Sequence, residues 1–138
     1  MNSSVDQAAS SSRDRLIFVY NADSGVLNMV KDWAHKIVHP STYDCQLCKL
    51  TYGNTGMLKK WHKFVSGLSY DTLFLHYDEL KKQYPNLKDT PLPCIFVEQS
   101  KNNCVKVILD AETINKQQTL DQLIDVCTRT LDSHHNEH

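Results

Sequence analysis

The stretch RLIFVYNADSG, residues 15–25, constrains the fold most. Leu16 to Tyr20 are apolar without a break. A strand with one wet face alternates apolar and polar residues, so an unbroken run reads as a strand buried on both faces. Asn21, Asp23 and Ser24 then turn the chain, and Asp23 or Ser24 is placed to cap a helix. In GVLNMVKDWAHKIV, Val26, Val30, Trp33 and Ile37 recur at helical spacing. Pro40 marks the end of that helix.

The same reading continues along the chain. In TGMLKKWHKFVSGL, Leu58, Trp61, Val65 and Leu68 form one helical stripe, with Thr55 as a cap and Gly67 as the close. DTLFLHY is a second apolar strand, and DELKKQYP a short helix capped by Asp78 and stopped by Pro85. TPLPCIFVEQ places Pro93 at the mouth of a third strand, Cys94 to Glu98. QSKNN is a turn, so CVKVILD becomes the second arm of a hairpin. TLDQLIDVCTRTLDS is the last helix, opened by Thr119 and Gln122 in a capping-box pattern. Its inward side is Leu120, Leu123, Ile124, Cys127 and Leu131.

The chain has 138 residues and 41% apolar residues, which suits one domain with one core. The polar start, residues 1–14, reads as a disordered tail, residues 15–132 as the single domain, and residues 133–138 as a frayed end. A net charge of -1 gives no field that favours nucleic acid, and the basic helical face KKWHK at 59–63 reads as solvated. The apolar runs are too short to cross a bilayer, and the start has no apolar export segment. The expected setting is therefore the reducing cytoplasm.

Five cysteines gain meaning in that setting, where Cys-x-x-Cys signals redox or metal chemistry more often than a structural bridge. YDCQLCKLTYG, residues 43–53, holds Cys45 and Cys48. Three readings stay open. The first is a dithiol in which one cysteine attacks as thiolate and the other resolves, with Cys45 favoured to attack and a protein thiol or disulfide as partner. The second is a zinc site, with His35, and then His39, adding to the two sulfurs. The third packs both thiols as small apolar groups, leaving the NADSG loop to bind a partner or ligand. Tyr43 and Tyr52 flank the pair as cover. Cys104 and Cys127 read as core.

The element order is strand, helix, an extra helical segment, strand, helix, strand, strand, helix. With Pro93 at the entry of the last hairpin, this resembles the thioredoxin-like fold over about Leu16 to Leu131. The resemblance implies an α/β domain with a mixed four-stranded sheet and flanking helices. It also implies a cis bond before Pro93 beside the loop of Asn21, Asp23, Ser24 and Gly25, with Cys94 as a further thiol facing that loop. In that fold the Cys-x-x-Cys directly follows the first strand. Here NADSG stands there, and the cysteines come in an insertion after the first helix. The strings VYNADSG, AHKI, PSTYDCQLCKLTYG and FLHYDE are also similar to those of a group of small bacterial proteins, some labelled GTPases. This chain has no G-x-x-x-x-G-K-[S/T] loop: GNTG at 53–56 lacks the lysine, and NKQQ at 115–118 half matches a guanine-reading motif. No cofactor is expected under the redox reading, and zinc under the metal reading. His35 is expected to reach toward the two sulfurs.

Overall fold

A computed structural model describes residues 13–22, 45–53 and 56–136. In chain order the elements are β1 (Arg15–Tyr20), α1 (Gln46–Thr51), β2 (Tyr52–Gly53), β3 (Gly56–Met57) and α2 (Lys59–Ser66). Then follow β4 (Asp71–His76), α3 (Tyr77–Gln83), a 3-10 turn (Pro85–Leu87), β5 (Cys94–Glu98), β6 (Val105–Leu109), α4 (Ala111–Asn115) and α5 (Leu120–Asn136). The sheet is mixed, in the order β4-β1-β5-β6. β1 pairs in parallel with β4 and antiparallel with β5, and β5 pairs antiparallel with β6.

Successive side chains of a strand point to opposite faces, and β1 shows this directly. Leu16, Phe18 and Tyr20 pack with Trp61 and Val65 of α2, Ile114 of α4, and Leu123, Cys127 and Leu131 of α5. Ile17 and Val19 pack on the other face with Leu75, Leu80 of α3, Cys94 and Phe96. Each large apolar side chain buried this way contributes about 1.5–3 kcal/mol. The apolar run thus sits in the middle of the sheet with helices on both sides, as its composition requires. Phe18 anchors the first face, edge-on to Trp61 at 5.7 Å and stacked on Phe74 at 4.8 Å.

The Leu92–Pro93 bond is cis, as expected. β5 spans the expected residues, Cys94 to Glu98. Thr119 caps α5 as expected: its hydroxyl accepts from the Gln122 N–H at 3.1 Å, while the Gln122 side chain accepts from the Gln118 N–H at 2.7 Å.

Other details correct the sequence reading. α3 is opened by His76, not Asp78: the Glu79 carboxylate accepts from the His76 backbone N–H at 2.9 Å and lies 2.7 Å from the ring Nδ1. α2 starts after Leu58, which is 37% exposed because it stands at the N-cap and not on the buried stripe. Cys104 is exposed, not core. It lies in the hairpin turn, where its N–H donates to the Asn102 side chain and its carbonyl accepts from Gln99, so β6 starts one residue later. A short helix, α4, intervenes after β6, capped by the Asp110 carboxylate through the Thr113 N–H. α5 runs to Asn136, past the expected start of a frayed end at 133. One irregularity breaks the last ladder: Ile95 pairs with Leu109 but Phe96 with Val107, so β6 carries a bulge at Ile108. The expected first helix and the Thr55 cap lie outside the described residues.

Candidate functional site

The site grows from the end of β1. Its ladder with β5 stops at the pair Val19 and Cys94. The next β5-side residue, Pro93, has no N–H and cannot extend it. Two residues past Val19, the Asn21 backbone N–H donates to Cys45 Sγ at 3.4 Å. The end of β1 is thereby tied to the cysteine segment.

Cys45 is also the N-cap of α1, a helix that holds Leu47, Cys48 and Thr51 inward. Its extended backbone lets the side chain turn back over the first turn, where Sγ accepts from the Cys48 N–H at 3.1 Å. Asn and Ser do this most often, and here sulfur takes the role. Three residues on, Cys48 comes round to the same side, and the two cysteines form a disulfide with Cα atoms 5.2 Å apart. Cys45 is 0% exposed and Cys48 4%. α1 is pinned from outside by Gln46, whose Nε2 donates to the Gln117 carbonyl at 2.6 Å, and inside by the Thr51 hydroxyl, which donates to the Leu47 carbonyl. The disulfide segment is therefore a fixed part of the core.

Tyr52 closes the C-terminal side of α1 and meets Tyr20 edge-on at 5.5 Å. Burial pushes the Tyr20 hydroxyl well above its ordinary range, and Tyr52 beside it adds to the rise. Tyr20 belongs to the buried cluster that holds Cys45 and Cys48, and Tyr52 packs against that cluster. Tyr43 lies outside the described residues.

The remaining candidates separate. Cys94 is fully buried and belongs to the other face of the sheet, among Ile17, Val19 and Leu75. Burial, with Asp110 adding a smaller push, raises its thiol to about 12. It packs in the core and stays apart from the cluster that holds the disulfide. Pro93 is buried at the entry of β5. Asp23, Ser24, Gly25, His35 and His39 lie outside the described residues. Among the described residues no three His, Cys, Asp or Glu side chains gather as a metal site, and the sulfurs of Cys45 and Cys48 are bonded to each other. No described helix is long and apolar enough to cross a membrane.

What the sequence reading missed is the contribution of backbone amides. Nothing in the letters marks Asn21 N–H as a partner of Cys45, because the contact joins residues 24 positions apart. Comparison with family models, curated proteins and solved structures finds no match to this chain.

Proposed function

We propose that this is a thioredoxin-like thiol–disulfide redox protein whose working couple is Cys45 and Cys48. The carrying observation is the pair of backbone amides aimed at Cys45 Sγ, at 3.1 and 3.4 Å. In thiol–disulfide exchange the reacting and departing species are thiolates. Hydrogen bonds to a charged group favour the charged form. Both donors belong to the folded backbone, so they remain when the disulfide opens and hold the sulfur that results.

The loop length supports the same reading. A bridge between residues three apart closes a very small ring. The chain-entropy relation gives such a ring about 2 kcal/mol, against about 3 for a fifteen-residue loop. As a staple the bond is weak. In the cytoplasmic setting we infer, disulfides are usually transient, catalytic or sensing. The sheet order, with β1 parallel to β4 and antiparallel to β5, supports the thioredoxin-like assignment, and kinship with the small bacterial group is part of the same proposal. The partner class is a compound or protein carrying a thiol or disulfide.

The test is a redox titration of folded protein in glutathione buffers, with free thiols counted by mass. The reading expects reversible opening of this one bond, with a midpoint between about -120 and -270 mV, the span of thiol oxidoreductases. A bond that opens only on unfolding is a structural staple, and the reading then falls.

A further inference from the structure

β4 is a border of the sheet, and among the described residues no strand pairs on its outer side. Its outward backbone groups can be named. The Asp71 N–H donates to the Asp14 carbonyl and the Tyr77 N–H to the Ala22 carbonyl, so the odd-numbered residues of β4 turn their N–H and C=O groups toward β1. Successive residues of a strand point these groups to opposite sides. Thr72, Phe74 and His76 therefore present theirs outward. The His76 N–H is already held by the Glu79 carboxylate at 2.9 Å. The N–H and C=O of Thr72 and Phe74, and the C=O of His76, are left on the border. Such a border is a template for another strand. β4 carries no bulge, lysine or proline to prevent it: its register with β1 is unbroken from Asp71 to His76.

We propose that a second copy of this chain adds there, the two β4 strands pairing antiparallel about a twofold axis at Phe74. This contact does not involve the cysteines. In an antiparallel ladder, outward-facing residues lie opposite one another. Centred on Phe74, Thr72 of each copy meets His76 of the other, and Leu73 meets Leu75. The two Phe74 residues exchange N–H and C=O bonds, and each Thr72 N–H donates to the other copy's His76 carbonyl. Side chains match as well. Thr72, Phe74 and His76 share the sheet face of Leu16, Phe18 and Tyr20, while Leu73 and Leu75 share that of Ile17 and Val19. Half-buried Leu73 and Phe74 thus meet apolar neighbours. A ladder centred on Leu73 would instead set the Asp71 carboxylate against Leu75. Charge complements the fit, because antiparallel pairing brings the start of one β4 beside the end of the other. At the start lies Arg13, its side chain 47% exposed beside Asp71 and donating to the Leu68 carbonyl at 3.1 Å. At the end stand Asp78 and Glu79, in the first turn of α3. The twofold uses the same border on both copies, so the contact closes on itself and gives a dimer.

The test uses the full chain with Cys104→Ser, so that the exposed thiol cannot bridge copies. Light scattering behind size exclusion is expected to give twice the chain mass at about 100 µM, a concentration that saturates a contact of micromolar Kd. Thr72→Pro removes an outward N–H and leaves the ladder to β1 intact, a place where a border strand accepts proline. Thr72→Lys, at an exposed position, sets a cation against His76 of the other copy. Each is expected to weaken the dimer at least about tenfold. If Thr72→Pro fails to fold by circular dichroism, Thr72→Lys decides. Amide exchange followed by NMR locates the contact: the Thr72 and Phe74 amides are expected to exchange slowly in concentrated protein and fast on dilution. A monomer at the higher concentration overturns the proposal. So does a dimer that Thr72→Lys leaves intact, or one in which those two amides exchange equally fast after dilution and before it.

Discussion

Cys94 and Cys45 lie on opposite faces of one sheet, Cys94 among Ile17, Val19 and Phe96, and Cys45 among Leu47, Trp61 and Tyr20. They stand far apart in sequence, and in space the sheet lies between them. The three free thiols therefore differ sharply in environment. We expect iodoacetamide at neutral pH to label Cys104 quickly in the folded protein and to leave Cys94 and Cys127 untouched until denaturant is added. Peptide mapping against time reads this. Fast labelling of Cys94 in the native state would place it in an open site.

The same two buried thiols set an alkaline limit. Burial raises Cys94 and Cys127 from 9.0 to about 12 in the fold. The folded state therefore holds protons that the unfolded chain releases. This stabilisation is complete below about pH 9 and is lost as pH climbs toward 12. Each thiol accounts for a fall of up to about 1.4 kcal/mol per pH unit in that window. Urea midpoints measured from pH 8 upward should drop, and Cys127→Ala should flatten the drop while lowering the plateau. An unchanged slope in that variant contradicts the assignment.

The amide cradle separates two substitutions that both remove the disulfide. Cys45→Ser leaves a side-chain oxygen at the N-cap of α1, and Cys45→Ala leaves the N–H groups of Cys48 and Asn21 without their acceptor. Serine is expected to be the more stable by about 1 kcal/mol. Denaturant unfolding of the two variants under reducing conditions measures the difference. Equal stabilities would mean that sulfur at 3.1 and 3.4 Å is a contact without energetic weight.

Phe18 is a fully buried ring on the cysteine-bearing face, touching Trp61 and Phe74. Phe18→Ala removes those contacts and opens a cavity in the sheet centre. The expected loss is about 3–5 kcal/mol. A loss under about 1 kcal/mol would show that the neighbouring helices close the gap.

The legibility of this chain follows what each signal depends on. The apolar runs LIFVY and CIFVE give strands because unbroken apolar sequence has few other uses, and both appear where expected. The stripe of Leu123, Cys127 and Leu131 faces inward because helical period and burial agree. Caps are harder to read. Asp78 is a good cap by residue type, yet the pair of His76 and Glu79 takes the position because β4 runs straight into α3 and leaves no loop for Asp78 to close. Cys104 misleads for a related reason: an apolar residue at the start of a strand pattern can belong to the turn. Cys45 and Cys48 are found by their spacing, and their bond follows from the helical turn between them. The tie to Asn21 is a long-range backbone contact, and side-chain types carry no record of it.

The bulge at Ile108 has a consequence for how copies of this chain meet. β6 is a border of the sheet, and Val107 on it is 49% exposed. A flat border of that kind would invite a second strand to add and a stack to grow. The extra residue breaks the regular spacing of the ladder and twists the strand, and exposed Lys106 sets a charge beside Val107. An incoming strand would need a matching insertion and a compatible charge to dock, so the border is guarded against fibril-like growth.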